Sequence, residues 1–180
     1  MSGPQAPIAR QHPWSTFADA RDEARQRGER TINTEHLLIA LLRDPELARA
    51  TGAIAAEARA ALSRLDSEAL AAIGLRGIPA ALAEPGEPEA VLRPRASRPS
   101  VRELLTRRGV NMTPSCKNVL RSAGREAMRA QLGPEHILRA LLDLGPVDPA
   151  TQLLAALGVD RGAARQRLTA LGQGGESAAA

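Results

Sequence analysis

One phrase is written twice in this chain, and it limits the fold more than any other feature. EHLLIALL stands at 35–42 and EHILRALL at 135–142, exactly in step at Glu, His, Leu, Ala, Leu and Leu, 100 positions apart and without a gap. In each copy the apolar residues fall three and four apart, which is the period of an amphipathic helix. The likeness extends outward. DEAR (22–25) resembles REAM (125–128), displaced by 103, and LAAIGL (70–75) resembles LAALGV (154–159), displaced by 84. These offsets read as a second copy three residues shorter before its Glu-His phrase, and a first copy with sixteen extra, helix-forming residues after it. A chain with two such units is expected to bury them against each other, because neither alone covers its apolar face. The expected fold is all-α, a pseudo-twofold tandem repeat of two roughly four-helix units.

Composition agrees. The chain has 35 Ala and 24 Leu against 13 Val plus Ile, no Tyr, and one each of Phe and Trp. Few β-branched and aromatic residues argue against sheet, and Ala, Leu, Arg and Glu favour helix. The core should therefore be built on Leu. Net charge is only +4, and its 23 Arg face a single lysine, Lys117. Charges alternate in sign along the chain, the pattern of solvated helix faces. Cys116 is the sole cysteine, so an internal disulfide and a cysteine metal cluster are excluded. MSGPQAPIARQHP has no apolar signal region, and no run approaches the 18 apolar residues of a membrane span. A cytoplasmic, reducing location and no membrane partner are the expectation.

The elements follow from caps and breakers. Residues 1–12 read as a flexible N-terminus and 13–83 as repeat 1 with its helical insertion. Residues 84–109 read as a Pro/Arg-rich linker with a short helix within 99–109, 110–171 as repeat 2, and 172–180 as a flexible tail. Within repeat 1, Pro13 opens a helix to about Gly28, with Trp14, Phe17, Ala20 and Ala24 on one face. Asn33 suits an N-cap, and a short helix is expected over 67–73. In repeat 2, Thr113 caps a helix with Pro114 at its first position, running to about 130. Gly133 and Pro134 open the next, Pro149 a third that ends at Gly158, and Asp160 caps a fourth that runs to Leu171.

Several residues invite chemistry. Glu35 and Glu135 each fall in a first helical turn, where a carboxylate offsets the helix dipole by about 0.3–1 kcal/mol or grips a partner's guanidinium in bidentate fashion. His36 and His136 follow them. The order is not HExxH and no His stands at i+4, so no metal is expected; packing and hydrogen bonding at the seam between repeats is the expected role. Cys116, in TPSCK, starts a helix beside Lys117, which can lower a thiol pKa. A Cys116 or Ser115 nucleophile would make the chain a hydrolase, but no base or Gly-x-Ser-x-Gly context accompanies either. The stretches RPRASRP (93–99) and TRRG (106–109) suggest an Arg-rich nucleic-acid binder as the alternative, although no aromatic residues interleave them for stacking.

MTPSCKNVLRSAGREAMRAQLGPEHILRALLDL with LLAALGV, and RDEARQRGERTINTEHLLIALL, resemble the repeats of the N-terminal domain of Clp AAA+ unfoldases, especially the ClpC type. The resemblance covers roughly 14–75 and 110–171. It implies a protein-interaction module of eight helices that receives adaptor proteins and client polypeptides for a Clp protease, and in some members phosphoarginine-bearing proteins. There the ligand is held by a Glu of the Thr-Glu-His block and a Thr at the first helix start. Carried over, the candidate residues are Thr113 and Glu135 in repeat 2 and Thr34 and Glu35 in repeat 1. The chain departs from the pattern in two places: repeat 1 has PIARQHP where the first-helix Thr is expected, and Pro134 replaces the second motif's Thr. No GxxxxGK[ST] occurs, so the phosphate cradle of an ATPase motor is missing from this sequence. The implied role is a non-catalytic, cofactor-free binding module that regulates Clp-dependent proteolysis.

Overall fold

The structure, a computed structural model, describes residues 13–74, 111–127 and 132–176. The expected N-terminal segment 1–12, the linker 84–109 with its short helix, and the end of the tail lie outside the described residues. Among the described residues there are eight helices. They are α1 (Pro13–Gln26), α2 (Thr34–Leu41), α3 (Pro45–Thr51), α4 (Ala55–Ala72), α5 (Pro114–Glu126), α6 (Pro134–Leu142), α7 (Pro149–Ala156) and α8 (Arg161–Glu176). None of them is long and apolar enough to cross a membrane.

The boundaries come from the residues expected to set them. Asp44 caps α3 through Glu46 N–H at 2.8 Å, Asp148 caps α7 through Ala150 N–H at 3.0 Å, and Pro follows each cap. Asp160 Oδ1 accepts from Gly162 N–H at 2.8 Å and Ala163 N–H at 3.0 Å, and these bonds hold its carboxyl below the usual range. Gly28 and Gly158 follow α1 and α7 with φ of 74° and 69°, a conformation that costs glycine nothing sterically. The last helix continues past Leu171 to Glu176.

One expectation needs correcting. Among the described residues of repeat 1, no helix is extra to the four that repeat 2 also has. Its 44–52 segment is the counterpart of 148–158, each an Asp cap, a Pro, a short helix and a left-handed Gly (Gly52 φ 76°). LAAIGL is not the partner of LAALGV; it is the end of α4, where Leu70 and Ile73 are exposed while Leu153 and Leu154 are fully buried. Nor does a separate 67–73 helix form, because no breaker stands between Ala55 and Ala72 and α4 runs straight through. An Ala-Leu-rich sequence produces such chance matches, and the Asp-Pro and Gly signals were the better register marks.

The two four-helix units interlock. Besides the hairpins α1–α2 and α5–α6, α3 of the first unit packs on α8 of the second, and α7 of the second packs on α4 of the first. Helices α2 and α6, which carry the repeated phrase, cross at the centre. Every residue from Thr34 to Leu41 is buried, as expected of a helix enclosed on all sides. Of the twelve largest fully buried side chains ten are Leu and two are Ile, drawn from both units. One core therefore serves both, and removing either unit would expose the other's apolar face to water at about 25 cal/mol per Å².

Candidate functional site

The chain crosses from one unit to the other at a short parallel bridge between Ile32 and Met112. Ile32 N–H donates to Asn111 O at 2.8 Å, and Thr113 N–H donates to Ile32 O at 3.1 Å. Two residues further along each strand a helix begins, so the bridge brings the N-termini of α2 and α5 together. The N-terminus of α7 joins them: Thr34 Oγ1 donates to Asp148 Oδ1 at 2.6 Å across 114 residues of sequence. Three helix starts, each with a partial positive charge, meet at one seam. Its outer side opens into a shallow cavity of about 390 Å³, lined by Ser115, Leu144, Gly145, Val147, Asp148 and Pro149.

Two carboxylates answer the three helix starts. Asp148 accepts from Thr34 and from Ala150 N–H. Glu35 is 7% exposed, and its Oε2 is buried without a hydrogen-bond partner. Burial raises its pKa above the ordinary carboxylate value; its own backbone N–H and the Asn33 side chain oppose the rise, and the nearby charges of Glu29 and Asp148 add to it. Thr113 spends its hydroxyl oxygen on Cys116 N–H at 3.4 Å. Cys116 is fully buried, and burial together with the Glu35 and Asp148 charges pushes its thiol up to about 12. The helix start and Lys117 do not activate it, which removes the thiol of the hydrolase reading.

The histidines have a definite job. Asn33 N–H donates to His36 Nδ1 at 3.2 Å, and Gly133 N–H donates to His136 Nδ1 at 3.1 Å. Each His takes the place a Glu or Gln holds in a capping box and satisfies the cap residue's otherwise orphaned N–H. The repeated Glu-His dipeptide is thus, in its second half, a helix-start device. This also decides the metal question. Glu29, Glu35 and His36 bring potential ligand atoms within 4.8 Å of one another. But His36 Nδ1 is an acceptor, so the neutral ring carries its proton on Nε2, where a cation would need a lone pair. Nε2 instead faces Glu29 Oε1 at 3.5 Å. Burial lowers the pKa of His36 and keeps the ring neutral.

The four candidate binding residues do not group by repeat. Thr113 lies at the seam with Thr34 and Glu35, so that site is composed of both units. Glu135 stands apart at the start of α6, its side chain 33% exposed and folded back over its own cap, where a Cβ on Gly133 would overlap its carboxylate. Sequence reasoning missed Asp148. The signal available was Asp-Pro before a helix, which was read only as a helix start; nothing local shows that the capping Oδ1 also accepts from Thr34.

Several of the described arginines are occupied within the fold. Arg59 Nε donates to Glu23 Oε2 at 2.8 Å, and its Nη2 reaches the other oxygen of a carboxylate that is 4% exposed. Arg161 and Arg165 both donate to Leu142 O at the end of α6, and Arg167 Nη1 donates to Ala50 O at 3.1 Å at the end of α3. The RPRASRP and TRRG stretches lie outside the described residues.

Two interlocked helical units with a composite polar seam define an all-α tandem-repeat domain. Comparison with known proteins agrees. Residues 10–75 match the family model described as Clp repeat (R) N-terminal domain. The fold is similar to the crystal structure of the N-terminal domain of the caseinolytic protease associated chaperone ClpD from Arabidopsis thaliana, with a TM-score of 0.56 at 20% identity. That similarity covers 87% of this chain and 92% of the other. No curated protein sequence matches the chain. Residues 10–75 are thus similar to the Clp repeat, and the fold as a whole is similar to that of a Clp N-terminal domain.

Proposed function

We propose that the protein is a non-catalytic binding module that takes up adaptors, client polypeptides or Clp protease components, and so regulates Clp-dependent proteolysis in the cytoplasm. The observation that carries this reading is the pair of motif glutamates at helix starts on a rigid, shared core. Glu35 has an unsatisfied buried oxygen and Glu135 is partly open to solvent. A carboxylate so placed, beside N–H groups that favour negative charge, suits a ligand carrying a guanidinium and an anionic group together, which is the chemistry of a phosphorylated arginine.

The test is retrieval of a Clp unfoldase or its adaptors by the wild-type chain and by Glu135→Gln, together with titration of phosphoarginine followed residue by residue by NMR. Retrieval that depends on Glu135, with shifts at 133–136, supports the reading. Retrieval of no Clp component, adaptor or client by the wild type refutes it.

A further inference from the structure

The two units differ at the end of their third helix. Gly52 and Gly158, both left-handed, lie 106 positions apart, and α4 and α8 each begin three residues later. The same offset matches Ala58 with Ala164 and Leu62 with Leu168, all of them buried. It also matches Arg167 with Ala61, and Ala50 with Ala156. Where α8 packs on α3, Arg167 Nη1 donates to Ala50 O at 3.1 Å and places a positive charge on the negative end of α3. Where α4 packs on α7, the matching side chain is only a methyl group. A groove of about 540 Å³ opens there, lined by Ala61, Arg64, Leu65 and Glu68 of α4 and by Gln152, Ala155 and Ala156 of α7. Among the described residues no group donates to Ala156 O. The groove thus combines the partial negative charge of a helix end with the Glu68 carboxylate and the Gln152 amide.

We propose that the α4–α7 groove is a binding site for the guanidinium of an unphosphorylated arginine on a bound polypeptide. Its template lies within the chain: Arg167 fills the matching place on α3 with that same group. A guanidinium carries several N–H donors in one plane, for Ala156 O, Glu68 and Gln152, and no acceptor that would need a partner there. Leu65 and the alanines give its methylene stem an apolar wall. A phosphoryl group is disfavoured, because it would stand against a helix C-terminus and a carboxylate. The groove therefore differs from the seam both in place and in the charge it prefers. That the arginine belongs to a client polypeptide rests on the reading given above; the preference of the groove for a guanidinium does not.

The experiment is NMR titration of the full chain with N-acetylarginine N-methylamide, with the matching citrulline compound as its neutral isostere, and with phosphoarginine. In the wild type the arginine probe should move the amides of 61–68 and 152–158 saturably. The citrulline and phosphoarginine probes should need at least about tenfold higher concentration at those amides, the scale of a lost charge-assisted hydrogen bond. Glu68→Gln, at an exposed position, should weaken the arginine probe about two- to fivefold, the range of a partly exposed charge pair. Arg64→Ala removes a competing cation from the lining and should bind the probe at least as tightly. Arg167→Ala, also at an exposed position, opens the matching place on α3, and the amides of 48–53 should then respond to the probe as well. Groove amides that stay still in the wild type, or that respond alike to the arginine and citrulline probes, would overturn the proposal. So would an unchanged affinity in Glu68→Gln, weaker binding in Arg64→Ala, or amides of 48–53 that stay still in Arg167→Ala. A groove response to the arginine probe, from a chain that retrieves no Clp component, adaptor or client, supports the site and refutes only the polypeptide reading.

Discussion

Glu35→Gln should make the protein more stable at neutral pH, although it removes a carboxylate from the first turn of a helix. Two effects oppose each other at this position. The dipole of α2 favours a negative charge by about 0.3–1 kcal/mol. Burial of an acceptor without a partner costs about 1–3 kcal/mol, more when it is charged. The direction of the pKa shift tells which wins: the folded chain raises Glu35, so it disfavours the charged form, with burial as the leading cause. A raised folded pKa means stability that is fully present below about 4.5, the unfolded value, and lost as pH rises through the folded value. Gln removes that loss. The expected gain at pH 7 is on the order of 1 kcal/mol, or about 2–4 °C in Tm for a chain of this size. It should shrink toward zero at pH 4, where the wild type is itself protonated. Urea unfolding at the two pH values measures it. Glu135→Gln is the control: that side chain is partly exposed, so only the dipole acts and a loss of about 0.3–1 kcal/mol is expected. A Glu35→Gln protein that is less stable than wild type at pH 7 would refute the reasoning and mean that the buried carboxylate has a partner worth more than its burial.

Three further outcomes follow from the same geometry. Arg59→Met should destabilise by about 2–3 kcal/mol, because it strands the Glu23 carboxylate in the core, and Glu23→Gln in the same chain should recover part of that; equal stability of the single and double variants would refute the pairing. Cys116 should resist iodoacetamide at pH 8: a thiol pushed from 9.0 to about 12 has a thiolate fraction of about 10⁻⁴ rather than about 10⁻¹, so alkylation should be at least about a thousandfold slower than after unfolding in urea, and comparable rates would overturn the buried placement. Acid should weaken the fold through His36, whose depressed pKa gives stability that is present above 6.5 and lost as pH falls toward the folded value. Glu35 acts with the opposite sign, so the loss should be steeper in Glu35→Gln and absent in His36→Gln, whose amide oxygen can still accept from Asn33 N–H; an unchanged slope in His36→Gln would refute the assignment.

The helix starts were legible because they depend on a few neighbouring residues. Asn33, Thr113, Gly133 and Asp160 stand where they were expected, and so do the Leu stripes of α2 and α6. Register between the copies was less legible, since LAAIGL and LAALGV look alike only in composition; one ends on an exposed helix terminus and the other in the core. The seam was the least legible. Thr34 and Asp148 are 114 residues apart, and Thr113 comes to the start of α2 only because the units pair across the bridge at Ile32 and Met112. Such pairings depend on how two units interlock, and local periodicity holds no information on that.

What the two units share and what they do not share separates folding from recognition. Both keep the His that accepts from the cap N–H, the Asp-Pro that starts the third helix, and the left-handed Gly that ends it. Each of these satisfies a backbone group that any helix end leaves open, so each unit needs it whatever the module binds. The arginines belong with them: Arg161 and Arg165 on Leu142 O and Arg167 on Ala50 O place positive charge at helix C-termini, where the dipole favours it. The differences fall at positions no helix requires, namely Thr34 against Pro134 and an Asp148 that reaches across units against an Asp44 that does not. Had the units differed only in their caps and core, recognition would have been expected to be twofold. Because they differ at the mouth, the two ends of the module should be chemically distinct.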